Sequence, residues 1–121
     1  MPWDGVEKRK RVRANLPCRI IIQTPEKEEI DAVTNNISEG GVGVTLKKQL
    51  KPSTPVELRI YEIIKDKPVI CKGIIRWVKS TESDQWRGDY FFYMGIEFSE
   101  INNRDVLAIR NLVRFSTTER A

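Results

Sequence analysis

A chain of 121 residues with 40% hydrophobic and 31% charged side chains can bury one core without help from disulfides or metal, and its balance is that of a globular protein. It has no histidine, which removes the commonest general base and the commonest metal ligand. The net charge of +4 is unevenly placed: Lys8, Arg9, Lys10, Arg11, Arg13 and Arg19 face only Asp4 and Glu7 in the first 20 residues, while 15 basic and 15 acidic side chains balance in the rest. A near-neutral body with one basic arm points to a localised anion-binding site. No stretch approaches the roughly 18 apolar residues of a membrane helix. The basic N-terminus runs into Ala14-Asn15-Leu16-Pro17, too short and too polar for the apolar part of a signal peptide, so a cytoplasmic protein is expected.

Residues 1–15 show no apolar periodicity and read as a flexible arm. The domain proper is expected over residues 16–115, with a tail at 116–121. Pro17 to Thr24 forms the first expected strand, centred on Ile20, Ile21 and Ile22, and Glu29 to Ile37 the second, across a polar turn at Pro25 to Glu28. Ser38 to Gly41 turns. Val42, Val44 and Leu46 then alternate with Gly43 and Thr45 in a third strand. Beyond the breakers Pro52, Ser53 and Pro55, a fourth strand alternates Val56, Leu58 and Ile60 with Glu57, Arg59 and Tyr61. A turn at Lys65 to Pro68 leads into a long fifth strand, Val69 to Lys79. A polar loop from Ser80 to Asp89 precedes a sixth, Tyr90 to Phe98. Six strands joined by short turns in one small domain favour a closed antiparallel barrel, which leaves few exposed edges.

The end of the chain changes period. Ile101, Val106, Ile109, Leu112 and Val113 recur at helical spacing within Ser99 to Phe115, with Ser99, Asn102 and Asn103 as candidate N-caps. One amphipathic helix after six strands would cover an end or face of the barrel. Cys18 and Cys71 each lie in an apolar strand-like run and read as buried thiols rather than as a disulfide or a metal site.

Two clusters carry candidate chemistry. The first is Lys8-Arg9-Lys10-Arg11-Val12-Arg13, in which Arg9 and Arg13 are four apart. Arginine presents a planar fork of donors suited to phosphate oxygens, and it stacks on flat rings. A solvated basic arm is the plain alternative. The second is Asn36-Ile37-Ser38-Glu39-Gly40-Gly41. In a regular strand Asn36 and Ser38 share the outer face, extended by Thr34, while Val33 and Ile37 face the core. Gly40 and Gly41 permit a tight turn and a close approach of ligand to backbone. An ordinary Ser- and Gly-rich turn is the alternative.

Taken together, the RxxxR pair and the [DN]xSxxG turn resemble the PilZ domain family, here as Arg9, Arg13, Asn36, Ser38 and Gly41. The segment Gly73-Ile74-Ile75-Arg76-Trp77-Val78 is similar to the family's late strand, and Tyr93-Met94-Gly95-Ile96-Glu97-Phe98 to its closing strand. The resemblance spans residues 7–115, with no departure at the five signature positions. It implies a six-stranded barrel with a C-terminal helix that acts as a receptor for the bacterial second messenger cyclic di-GMP. The family's two arginines grip phosphates and guanine edges from the N-terminal segment, and its [DN]xSxxG residues hold guanine on the barrel's outer surface. Carried over, Arg9 and Arg13 are the phosphate and guanine ligands, Asn36 and Ser38 hydrogen-bond the base, and Gly41 shapes the turn.

Lys8, Arg11 and Gly40 are further candidates by position. Trp77 would either stack on a base or pack in the core with Val69, Cys71 and Ile75. Trp3 and Trp86 lie in expected loops.

Enzyme chemistry has no carrier here. Asp31 and Glu97 are isolated carboxylates, and no GxxxxGK[ST] loop occurs. The expected function is a non-catalytic receptor, without cofactor or metal, that signals to an unidentified downstream protein in motility or biofilm settings and does not act at a membrane. Binding would order the arm and so create a new surface. The alternatives are a PilZ-like interaction module that binds no nucleotide, and a small barrel that binds nucleic acid. The neutral body weighs against the last.

Overall fold

The computed structural model describes residues 18–64, 66–81 and 91–119. Six strands run β1 Arg19–Gln23, β2 Glu29–Ser38, β3 Gly41–Leu46, β4 Pro55–Ile64, β5 Lys67–Thr81 and β6 Phe91–Glu100, followed by one helix, α1, Asn103–Glu119. All strand pairings are antiparallel, and they close into a barrel in the order β1-β2-β3-β6-β5-β4. The expected strands are all present, most of them a residue or more longer than the apolar alternation indicates. The arm with its RxxxR pair, the loop carrying Trp86, and Tyr90 lie outside the described residues.

The interior is filled by the period-two faces of the strands. Ile20 and Ile22 of β1, Leu58 and Ile60 of β4, Val69 and Ile75 of β5, and Met94 of β6 are fully buried. Val42, Val44 and Leu46 of β3 point the same way. Cys18 and Cys71 are both buried free thiols. Burial pushes the Cys71 thiol up to about 12, helped by the charge of Asp105. Cys18 is also raised, by burial first and Glu62 second, against a lowering hydrogen bond with Thr34.

The strand registers shift at four places, and two of these matter for the outer surface. The β2–β3 register shifts between Thr34 and Asn36, so Asn35 is an extra residue in β2. Ahead of this bulge Ala32 and Thr34 face in and Val33 is 52% exposed; beyond it Ile37 is buried. Val33 therefore does not face the core, and Thr34 is no part of an outer polar stripe. Its buried hydroxyl accepts a hydrogen bond from the Cys18 amide at 2.8 Å. The second bulge lies on β5, where the register against β6 shifts between Ile75 and Trp77 and makes Arg76 the extra residue.

The helix begins at Asn103, about one turn after Ser99. Ser99 and Glu100 end β6, and Asn102 is the cap: its Oδ1 accepts from the Asp105 amide at 2.9 Å. Asp105 sits in the first turn, where the helix dipole favours an acid. Ile109 and Val113 are buried in the barrel core, and α1 packs against β2 and β4. The helix runs to Glu119, past the expected end at Phe115.

Candidate functional site

The turn between β2 and β3 is held by its own side chains. The Ser38 hydroxyl accepts from the Gly40 amide at 3.2 Å and donates to the Gly41 carbonyl at 3.5 Å. Ser38 is only 2% exposed, so it is not an outward-facing partner of Asn36 as a regular strand requires. It sits at the end of the hairpin, opposite Gly41, where the turn folds over it. Gly41 is buried as well, and the space a Cβ would need is taken by the Ile96 carbonyl and the Glu97 Cα. Its role is to let β3 lie close against β6. The Gly40 carbonyl in turn accepts from the Phe98 amide at 3.0 Å, which ties the turn to the same strand.

A level row crosses the outer surface beside this turn. Asn36 on β2 pairs with Gly43 on β3, Gly43 with Gly95 on β6, and Gly95 with Trp77 on β5. The two central positions carry no side chain, and their neighbours lean over them. The Asn36 amide lies 3.2 Å from where a Gly43 Cβ would stand, and the Trp77 indole occupies the place of a Gly95 Cβ. Trp77 is 51% exposed. Core packing with Val69, Cys71 and Ile75 is thus ruled out, because the bulge at Arg76 turns the indole outward. The result is a flat aromatic plate with an amide at its edge, on a surface that a planar base can approach.

Two ion pairs frame this row. Arg76 donates through Nε to Glu97 Oε1 at 2.6 Å, and Glu97 pairs in register with Gly41. From the helix, Arg110 grips both oxygens of Glu39, at 3.1 Å from Nε and 2.9 Å from Nη2. That fork-to-fork geometry fixes the turn to α1. The hydrogen bonds to Glu39, and then its charge, raise the Arg110 guanidinium above its ordinary value. Sequence reasoning missed Gly43, Gly95, Arg76 and Arg110. The visible signal is a glycine at an outward position of each alternating strand, Gly43 between Val42 and Val44 and Gly95 between Met94 and Ile96; the ion pairs leave none.

Arg9, Arg13, Lys8 and Arg11 lie outside the described residues, but the point from which their segment departs is defined. Cys18 and Thr34 exchange two hydrogen bonds, the Thr34 amide donating to the Cys18 carbonyl at 3.1 Å. The chain therefore leaves the barrel beside β2, two residues from Asn36. At about 3.5 Å per residue, Arg13 can stand at most roughly 17 Å from Cys18 and Arg9 roughly 30 Å. Asn36 is well inside both limits. Among the described residues no group of acidic or thiol side chains could hold a metal ion, and no helix is long and apolar enough to cross a membrane.

Solved structures share this architecture. The Bacillus subtilis inhibitor of motility, MotI/DgrA, superposes with a TM-score of 0.75 at 22% identity, over 93% of this chain and 53% of that one. The K. pneumonia MrkH complex with c-di-GMP gives 0.70 at 14% identity, over 92% and 53%. The PilZ domain of Escherichia coli YcgR with c-di-GMP gives 0.69 at 10% identity, over 91% and 90%. The chain thus spans about half the length of the first two. A search of curated protein sequences finds no match. The sequence profile of the PilZ domain matches residues 7–115, from the basic arm to the end of the amphipathic stretch, and with the closed barrel of six strands and its C-terminal helix this places the chain in the PilZ domain family.

Proposed function

We propose that this protein is a non-catalytic receptor for cyclic di-GMP, bound on the outer face of the barrel between the N-terminal arm and the β2–β3 turn. The observation that carries this reading is the row Asn36–Gly43–Gly95–Trp77 beside the NxSxxG turn, within reach of the RxxxR pair. Guanine offers a flat face to the indole and hydrogen-bonding edges to the Asn36 amide. Arg9 and Arg13 supply forks for phosphates and for the O6/N7 edge of the dinucleotide's other guanine. Ser38 and Gly41 serve from beneath, by holding the turn in place rather than by reaching outward. Lys8 and Arg11 add charge, and Gly40 keeps the turn open to the ligand. Two relatives of the same fold carry c-di-GMP in their structures, which supports the choice of ligand.

Binding draws the arm onto the barrel and neutralises its charge. The complex then shows a downstream protein a face the free chain lacks, so a domain without chemistry of its own can signal. Residues 16–115 form the folded unit of this mechanism and residues 1–15 its moving part. The test is an equilibrium titration of the full chain with cyclic di-GMP, beside a single-stranded oligonucleotide. Saturable binding of the dinucleotide and none of the oligonucleotide is expected. Binding of the oligonucleotide alone would make the barrel a nucleic-acid binder; binding of neither would make it an interaction module.

A further inference from the structure

Arg76 enters none of the roles above, yet its placement is that of a ligand residue. It is the extra residue of the β5 bulge, so it points outward next to Trp77 instead of alternating with it. Glu97 holds it by Nε alone, at 2.6 Å. Among the described residues neither Nη1 nor Nη2 makes a hydrogen bond. The guanidinium is thus tethered by its inner nitrogen, and the side chain is 54% exposed. Glu97 stands between Gly41 and Ile74 in register, which puts this fork over β6, one row from the Gly95 position that the indole covers. Asn36 borders the plate from the opposite side, over Gly43.

We propose that Arg76 is a guanine-reading residue: its Nη1 and Nη2 donate together to O6 and N7 of the base that rests on Trp77, and Glu97 is the positioning residue that aims the fork. The proposal rests on the cyclic di-GMP reading and deepens it, by naming what discriminates the base. Two side chains then approach the base from its two edges, an amide from β2 and a guanidinium from β5, with the indole beneath. A lone ammonium cannot replace the fork, because both acceptors of guanine must be met in one plane. Adenine offers a donor where guanine has O6 and would be refused.

The experiment is calorimetric titration of wild type, Arg76→Ala, Arg76→Lys and Glu97→Gln with cyclic di-GMP and, separately, cyclic di-AMP. Circular dichroism verifies folding, which these exposed positions should not disturb. Both Arg76 variants are expected to bind cyclic di-GMP about tenfold more weakly, the discrimination a bidentate arginine–guanine pair provides. Any binding of cyclic di-AMP stays within twofold of wild type. Glu97→Gln keeps an acceptor for Nε and retains affinity to within about threefold. A lysine variant that binds like wild type, or an equal loss for both dinucleotides, overturns the assignment and reduces Arg76 to a source of charge. Wild-type protein that binds no cyclic di-GMP overturns the receptor reading itself.

Discussion

Ser38 and Asn36 stand two residues apart in one motif but do different work. Asn36 is half-buried over Gly43 on the outer face, whereas the Ser38 hydroxyl is spent inside the turn. Their alanine variants should therefore differ. Asn36→Ala is expected to lose about 1 kcal/mol or more of ligand affinity with little change in stability, the worth of an ordinary hydrogen bond. Ser38→Ala leaves the Gly40 amide without its partner, so it should lower the unfolding free energy by about 1 kcal/mol as well as weakening binding. Paired titrations and urea melts separate the two. Equal stabilities would mean that the hydroxyl does not hold the turn. Cys71 offers a check on the interior. With its thiol held up to about 12, it should resist iodoacetamide at pH 8 in the native protein and react only on unfolding. Because the folded value lies above the unfolded one of about 8.5, the associated stability is complete below that pH and fades as pH rises toward 12. Rapid alkylation of Cys71 in native protein would contradict the described core.

At the scale of elements, the helix has two separable jobs. Ile109 and Val113 close the core, and Arg110 clamps Glu39 in the β2–β3 turn. Ile109→Ala should destabilise the fold by about 2–5 kcal/mol, as a large-to-small change in a packed interior. Arg110→Ala should change the melting curve only a little, since an ion pair this open to solvent adds little stability. It should nonetheless weaken binding several-fold by freeing the turn, a split that calorimetry beside thermal denaturation can measure. Matched losses in both assays for Arg110→Ala would instead make the pair part of the fold. The strands and their inward faces were legible in the sequence because Val56/Leu58/Ile60 and Val42/Val44 keep strict alternation, and Ile20 to Ile22 is a short β-branched run. The outer face was legible only in part. A bulge adds one residue and inverts the alternation beyond it, and nothing about Asn35 or Arg76 as residue types marks the place. Hence Val33 and Thr34 read as exchanged, and Trp77 read as equally fit for either side. The helix start lies among three candidate caps, Ser99, Asn102 and Asn103, and only the length of β6 decides between them.

For the whole molecule, charge and topology describe one arrangement. Cross-strand pairs such as Arg19–Asp31, Arg59–Glu29 and Lys72–Glu100 balance the barrel's outer surface. The arm carries most of the excess, and the described chain begins beside β2 at Thr34, next to the candidate site. Arg9→Ala and Arg13→Ala should each cost about 1.5–3 kcal/mol of binding, the loss of a charge-assisted hydrogen bond, or roughly tenfold or more in affinity. Titrations of either variant that match wild type would remove the arm from the site. On the proposed mechanism the arm orders on the ligand, a cost that opposes binding, so affinity should be modest for the number of contacts made. Amide hydrogen exchange over residues 5–15 and 36–43, with and without cyclic di-GMP, reads the ligand, the site and the switch together. Fast exchange of 5–15 in the free protein and protection of both segments at saturating ligand are expected. Protection of 5–15 before ligand is added, or no change in either segment at saturation, would contradict this mechanism.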